Sequence, residues 1–264
     1  LPTFDTAACA ALMDELTATT MRAAETILAL SIDAGLRNKA DGSPVTAADE
    51  AAEAIICKDL ARLAPAVPVI SEEQAAHEKP KAIERGSYFL VDPLDGTREF
   101  IAGRDEYTIN IALMTDGAPV LGIVCAPALG LLWRGIVGSG ADRITVSPEA
   151  AGPTLIQTRR PPAGDLVIVV SRSHLEAQTQ AYVDALPHTK LMPCGSSVKF
   201  CRIAEGAADH YPRLAPTHDW DIAAGHAVLK AAGGSVIAPD GGPVVYGTRE
   251  LLIPGFLAWG TARA

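Results

Sequence analysis

The chain has 264 residues, 48% hydrophobic and only 5% aromatic, with 31 acidic against 22 basic side chains for a formal charge of -9. That is enough to bury one large or two smaller cores, and too acidic for nucleic-acid backbone binding, which needs a basic surface. No apolar run approaches the roughly 20 residues of a membrane-spanning helix, since the longest, such as residues 120–128, are broken by glycine or proline. Cys9, Cys57, Cys125, Cys194 and Cys201 are scattered and without Cys-x-x-Cys spacing. They suggest neither a disulfide framework nor a zinc site. With no basic start before an apolar run in the first thirty positions, no signal peptide is expected and a reducing cytoplasm is the expected location.

Residues 7–34 are rich in alanine and leucine at helical spacing and predict a long first helix, with Gly35 as its C-terminal cap. After a polar turn at 41–44, residues 47–63 predict a second helix with Ile55, Ile56 and Leu60 on one face. Strands then dominate. The β-rich runs 88–91, 107–114, 120–125 and 131–135, separated by turn residues, predict an antiparallel sheet. The glycines at 138 and 140 lack the third glycine of a dinucleotide fingerprint, which argues against a Rossmann unit. Residues 148–164 are proline-rich and predict an irregular surface connection. Beyond them, 166–170 (strand), 175–186 (helix), 190–193 (strand), 198–205 (helix) and 221–232 (helix) alternate as an α/β lobe does.

Asp92-Pro93-Leu94-Asp95-Gly96-Thr97 carries the most chemistry. The apolar run 87–91 predicts a buried strand, Pro93 forbids simple continuation of its ladder, and Asp95-Gly96 signals a turn. A near-helical turn there aims Asp92 and Asp95 to one side, with the Leu94 carbonyl and Thr97 hydroxyl as further oxygen donors, the set a hard divalent ion prefers. Asp, Pro and Gly are also ordinary loop residues, so the company matters: Asp49, the pair Glu72 and Glu73 after an apolar run, and Asp219 and Asp221 around Trp220. Each has a bland role as well. Thr46 with Asp49 reads as a helix-capping pair, and Asp219 and Asp221 suit the positive end of a helix.

Glu72-Glu73, then the aspartate motif, then Trp220-Asp221 followed by Ile222-Ala223-Ala224-Gly225 stand in the order that resembles the lithium-sensitive, magnesium-dependent phosphatases, which include inositol monophosphatase and fructose-1,6-bisphosphatase. Within that family the chain most resembles the 3'(2'),5'-bisphosphate nucleotidase (CysQ) branch. This rests on Asp41-Gly42-Ser43-Pro44-Val45-Thr46, Arg98-Glu99-Phe100-Ile101, Ser171-Arg172-Ser173-His174 and Gly195-Ser196-Ser197-Val198-Lys199-Phe200-Cys201.

The resemblance implies an α+β, α/β fold layered α-β-α-β-α. A lobe over 1–142 would carry most metal ligands, and a lobe over 143–264 would carry Asp221 and the substrate-binding residues. It implies two magnesium ions, one on Glu72, Asp92 and the Leu94 carbonyl and one on Asp92, Asp95 and Asp221, with a third, weaker place near Glu72. Asp49 and Thr97 would orient the attacking water. Gly96, Thr97, Ser171, His174, Ser196, Lys199, Arg213 and Asp221 would meet a small nucleotide, with the cations on its 5'-phosphate. The implied reaction removes the 3'-phosphate of adenosine 3',5'-bisphosphate, and of its sulfated form. Loose association with the inner membrane is known in the branch, yet no amphipathic anchor stands out.

Without the family, Ser171 and Ser196 read as helix caps, Lys199 as a solvated residue and Arg213 as half of an ion pair. Two other readings stand beside the nucleotidase: an inositol or sugar phosphate phosphatase with the same metals, and a metal-dependent nucleotide-binding regulator without turnover. His188, His210, His218 and His226 lack metal-site spacing and read as packing or surface residues, and Trp220 as a packing residue that fixes Asp221.

Overall fold

The computed structural model describes residues 4–32, 34–39, 42–77, 86–146, 152–160, 164–172 and 175–261. The chain runs through α1 (Thr6–Ala29), β1 (Arg37–Asn38), β2 (Pro44–Val45), α2 (Ala47–Leu63), β3 (Val69–Ser71), α3 (Glu72–His77), β4 (Ser87–Asp95), α4 (Thr97–Ile101), β5 (Thr108–Thr115), β6 (Ala118–Ala126), β7 (Leu131–Ile136), β8 (Gly140–Thr145) and β9 (Thr154–Ile156). It continues through β10 (Leu166–Ser171), α5 (Ala177–Asp184), β11 (Thr189–Cys194), α6 (Val198–Ala204), β12 (His210–Arg213), β13 (Thr217–His218), α7 (Asp219–Ala231), β14 (Ser235–Ile237), β15 (Leu252–Ile253) and β16 (Phe256–Trp259).

Strand alternation builds the layers. In the seven-stranded sheet, ordered β3-β4-β5-β6-β7-β8-β9, Phe89, Val91, Ile109, Ile111 and Leu113 point to one face. There they meet Leu12, Leu16, Ala23 and Ile27 of α1 and Ala52, Ile56 and Leu60 of α2, residues that recur at three- and four-residue spacing along each helix. Tyr88, Leu90, Ala112 and Met114 point the other way, into a core shared with Phe200 and Cys201 of α6 and Ala224 and Val228 of α7. That core reaches Val169, Tyr211, Phe256 and Ala258 of the second sheet, ordered β11-β10-β12-β16-β14. The outer face of β10, Leu166, Ile168 and Val170, packs on Val183 of α5. The result is helix, sheet, helix, sheet, helix, the layered sandwich that the family resemblance implies.

Three expectations need correction. Helix α1 ends at Leu30 (φ -90°, ψ 143°), short of Gly35. The Ala34 carbonyl instead accepts from the Ala47 N–H, so this backbone closes onto the start of α2 rather than prolonging α1. Gly35 still needs its positive φ of 66°, but in the turn before the β1–β2 ribbon. Second, β4 does not stop before Pro93. Its register with β5 passes from Asp92 opposite Asn110 to Asp95 opposite Thr108, so Pro93 and Leu94 bulge out and the proline needs no ladder donor. Third, the segment expected to be irregular contains β9, which pairs antiparallel with β8. The seven-stranded sheet therefore runs on through Ile156, and position 142 lies within a strand of it.

Two close approaches fix α7 against the first sheet. A Cβ on Gly122 would fall 2.4 Å from the Ala224 carbonyl oxygen, and one on Gly135 would fall 2.7 Å from the Val228 Cα. Gly225 likewise admits the Phe200 ring, whose Cδ2 would lie 2.5 Å from an added Cβ. The N-terminus of α7, with Asp221, is thereby held beneath the end of β4. Among the described residues no helix is long and apolar enough to cross a membrane, and all five cysteines are unpaired.

Candidate active site

The bulge in β4 is the centre of the site. Asp92 is buried and follows the face of Leu90, toward α7, and its carboxylate accepts from the Leu94 N–H at 3.0 Å. Gly96 takes φ 92°, a left-handed conformation that turns the chain from strand into α4. Thr97 then donates from Oγ1 to Asp49 Oδ1 at 3.0 Å, with the Leu94 carbonyl 3.3 Å away. Asp49 is also the capping residue the sequence suggested. Its Oδ2 accepts from the Thr46 N–H at 2.8 Å and the Thr46 hydroxyl at 2.6 Å. The cap fixes one carboxylate oxygen and leaves the other on Thr97. Burial raises the Asp49 carboxyl above its ordinary value, against the hydrogen bonds from Thr46 and Thr97.

Asp221, in the first turn of α7, accepts from the Thr217 hydroxyl at 2.5 Å and the His218 N–H at 2.9 Å. Burial, then the charges of Glu72, Asp95 and Asp221, hold the Asp92 carboxyl well above the carboxylate range. Burial and Asp221 push Asp95 up to about 7, partly offset by Lys199. Burial and Glu72 push Asp221 up to about 6, against the Thr217 and His218 hydrogen bonds. Four carboxylates from β4, α3 and α7 thus share one low-dielectric region and repel one another.

Lys39, which sequence reasoning missed, lies against the first of them. Its Nζ donates to Glu72 at 2.6 Å and to Glu73 at 2.7 Å. Burial pushes the Glu73 carboxyl up to about 7, although the Lys39 hydrogen bond opposes this. Glu73 is the more buried of the pair and Glu72 the one facing Asp92.

Beside the carboxylates opens a cleft of about 230 Å³ lined by Asp95, Gly96, Ser171, Ser196, Lys199, Arg213 and Asp221, among others. Seven of the residues singled out from sequence therefore meet in one cavity. Asp49, Glu72, Asp92, Leu94 and Thr97 do not line it and sit on its carboxylate side. His174 lies outside the described residues. Lys199 is 5% exposed, so the solvated reading fails. Its Nζ stands 5.2 Å from the Tyr211 ring centroid, and it has no ion-pair partner among the described residues. The Arg213 Nη2 donates to the Pro216 carbonyl at 3.2 Å, while its buried Nε has no hydrogen-bond partner among the described residues. Ser196 takes a positive φ of 45° and donates from Oγ to the Asp95 carbonyl at 2.8 Å. Ser197 donates to the Asp221 carbonyl at 2.7 Å. Neither serine side chain acts as a helix cap.

The donor chemistry fits a hard divalent cation. The groups are all oxygen, their mutual repulsion is offset in part by Lys39 at Glu72 and by Lys199 at Asp95, and Asn110, directly across the ladder from Asp92, buries an amide with neither polar atom hydrogen-bonded among the described residues. Among the described residues no three His, Cys, Asp or Glu side chains converge closely enough to close a metal cage by themselves.

A five-layer sandwich with carboxylates gathered where a bulged strand meets a helix N-terminus has the architecture of the layered-sandwich phosphatases. Residues 4–263 match the inositol monophosphatase family, and the chain belongs to that family, whose members are generally metal-dependent. It is 46% identical over 223 residues to the 3'(2'),5'-bisphosphate nucleotidase CysQ of Shigella flexneri, covering 83% of this chain and 86% of that one. The protein of the same name from Escherichia coli strain K12 matches with the same identity and coverage. Among solved structures, CysQ from Bacteroides thetaiotaomicron superposes with a TM-score of 0.78 at 32% identity, covering 94% of this chain and 97% of that one. An inositol monophosphatase from Anabaena (Nostoc) sp. PCC 7120 shares the fold, with a TM-score of 0.73 at 22% identity over 95% of this chain and 91% of that one.

Proposed function

We propose that this chain is a magnesium-dependent 3'(2'),5'-bisphosphate nucleotidase that hydrolyses adenosine 3',5'-bisphosphate to AMP and phosphate. Removal of the bisphosphate clears a by-product of sulfate assimilation, and the sulfated nucleotide is a second substrate. The observation that carries the reading is the buried Lys199, without an ion-pair partner among the described residues, set with Arg213 across one cleft from Asp95 and Asp221. A buried cation without a direct ion-pair partner is costly, and a ligand with two separate phosphates satisfies both halves of such a cleft: one on the carboxylate side through cations, one on Lys199 and Arg213 directly.

Glu72, Asp92 and the Leu94 carbonyl would hold one magnesium ion, and Asp92, Asp95 and Asp221 a second, with a weaker third place near Glu72. When bound, the ions supply charge neutralisation at phosphorus and at the leaving oxygen, and lower the pKa of the attacking water. The protein supplies the rest. Thr97 gives its own proton to Asp49 Oδ1, so its oxygen is left to accept from the water and to aim a lone pair of that water at phosphorus. Asp49, whose carboxyl burial raises above its ordinary value, takes the proton through this relay. Ser196, bonded back to the Asp95 carbonyl, and Ser171 and His174 would orient the nucleotide. The unpaired cysteines support a cytoplasmic place of action.

Phosphate release from adenosine 3',5'-bisphosphate by the purified chain tests this. Release with magnesium, loss on chelation and loss in Asp95→Asn are expected. Tight nucleotide binding with no phosphate released would contradict it and favour a regulator.

A further inference from the structure

Arg172 stands within the Ser171-Arg172-Ser173-His174 element but has no part in the chemistry above, and neither it nor Glu106 lines the cleft. Glu106 precedes β5 on the first sheet, and Arg172 comes just after β10 on the second. The Arg172 guanidinium grips the Glu106 carboxylate with both arms, Nε to Oε2 at 2.9 Å and Nη2 to Oε1 at 3.0 Å. Its Nη2 also donates to the Pro193 carbonyl at 2.8 Å, and its N–H to the Cys194 carbonyl at 3.1 Å. The same Glu106 Oε2 accepts the Gly195 N–H at 2.8 Å. A Cβ on Gly195 would fall 2.4 Å from the Glu106 carbonyl oxygen, so only glycine lets the two segments meet this closely.

Gly195 opens the turn that carries the strained Ser196 and leads into α6 with Lys199. Ser196 reaches across the lobes to the Asp95 carbonyl. A Cβ on Gly96 would lie 2.4 Å from the Ser196 Oγ, so glycine at 96 leaves the room that this hydroxyl occupies. A serine at positive φ keeps that conformation only where its surroundings over-determine it. Among the described residues, Glu106 is the carboxylate bonded to the backbone N–H that begins this turn, and Arg172 cancels its charge beside a site built for anions. The arginine fork holds the carboxylate in one orientation, as a lysine does not.

We propose that Glu106 and Arg172 form a latch between the two sheets that positions the Gly195–Ser196–Ser197 turn, and through it Lys199, for the substrate's second phosphate. They are positioning residues for specificity. The inference rests on the nucleotidase reading for the identity of that phosphate.

The test compares adenosine 3',5'-bisphosphate with adenosine 3'-monophosphate, which lacks the second phosphate. Glu106→Ala is expected to raise KM for the bisphosphate about tenfold, the worth of one charge-assisted hydrogen bond. kcat, and KM for the monophosphate, should stay within about twofold. Glu106→Gln, which keeps an acceptor for Gly195, and Arg172→Lys, which keeps the charge, should recover part of the loss. Hydrogen exchange at 195–197 should accelerate in Glu106→Ala and not elsewhere. Equal losses on both substrates, or no loss at all, would overturn the proposal, and if the alanine variant does not fold, the isosteric Glu106→Gln carries the same comparison with smaller effects. A wild-type chain that shows no preference for the bisphosphate would sink the nucleotidase reading instead, and unchanged exchange at 195–197 in the variant would then still overturn the latch.

Discussion

Thr97 Oγ1 donates to Asp49 Oδ1 at 3.0 Å, joining the turn after the bulged strand to the cap of α2. The other Asp49 oxygen is committed to Thr46, so the pair has one free function, on the Thr97 side. Asp49→Asn keeps the cap, because an amide oxygen still accepts from Thr46 and its NH2 can donate to Thr97. We expect kcat to fall by about a hundredfold or more, the range of a lost general base. Tm should move by no more than about 4 °C, the shift from roughly 1 kcal/mol in a chain of this size. Unchanged turnover would remove Asp49 from the mechanism.

Asp95 separates ligand from structural roles by sign. In the metal-free protein its charge is unwelcome, raised by burial and by Asp221, so Asp95→Asn should leave the metal-free Tm unchanged or higher. With millimolar magnesium the wild type should gain stability through binding to the native state, and the variant should gain much less. Thermal scans with and without magnesium decide this, and an equal gain in both would exclude Asp95 as a ligand.

His210 makes acid stability predictable. It is buried, stacked on Trp259 at 3.5 Å between ring centroids, and its Nδ1 lies 2.9 Å from the Ala258 carbonyl. Burial lowers its pKa from 6.5 to about 4, against the Ala258 hydrogen bond. The unfolded chain therefore binds the extra proton first. The contribution is complete above pH 6.5 and is lost as pH falls toward 4, roughly 3 kcal/mol in all. His226, lowered to about 3 by burial and then Lys230, acts in the same direction. Asp219, raised to about 6 by burial, acts oppositely, so the decisive comparison is with His210→Asn. Urea midpoints in saturating magnesium should fall less steeply between neutral and acid pH in the variant, and an identical slope would contradict the assignment.

Gly122→Ala should destabilise although the position has ordinary strand geometry. The added methyl meets the Ala224 carbonyl oxygen at 2.4 Å and the Ala227 Cβ at 2.8 Å, and neither can rotate away. Overpacking of this kind costs about 1–3 kcal/mol. Because α7 carries Asp221, activity should fall as well. Denaturant midpoints check the first effect, and a neutral outcome would show that α7 is free to shift.

The carboxylates were legible in sequence because each sits in a short motif whose backbone geometry is local: a bulge, a cap and the first turn of a helix. Strands such as β12 were not. Its Pro212 argues against a ladder, yet β12 meets β10 only at His210 and pairs along its length with β16, so the missing donor is never called on. The ending of α1 at Leu30 depends on Ala34 being used by α2, which is a tertiary fact. Lys39 was invisible for the same reason, since its partners lie 33 and 34 positions away. Periodicity reports what faces a core and says nothing of which charge a distant loop brings back.

The central claim is that a second phosphate is recognised by Lys199 and Arg213. The most direct measurement is kcat/KM for adenosine 3',5'-bisphosphate against inositol 1-phosphate, in the wild type and in Lys199→Ala. The account predicts a wild-type preference for the nucleotide of about tenfold or more, equivalent to about 1.4 kcal/mol of transition-state discrimination, that collapses in the variant. Equal or better turnover of inositol 1-phosphate, or a preference that survives loss of Lys199, would contradict it.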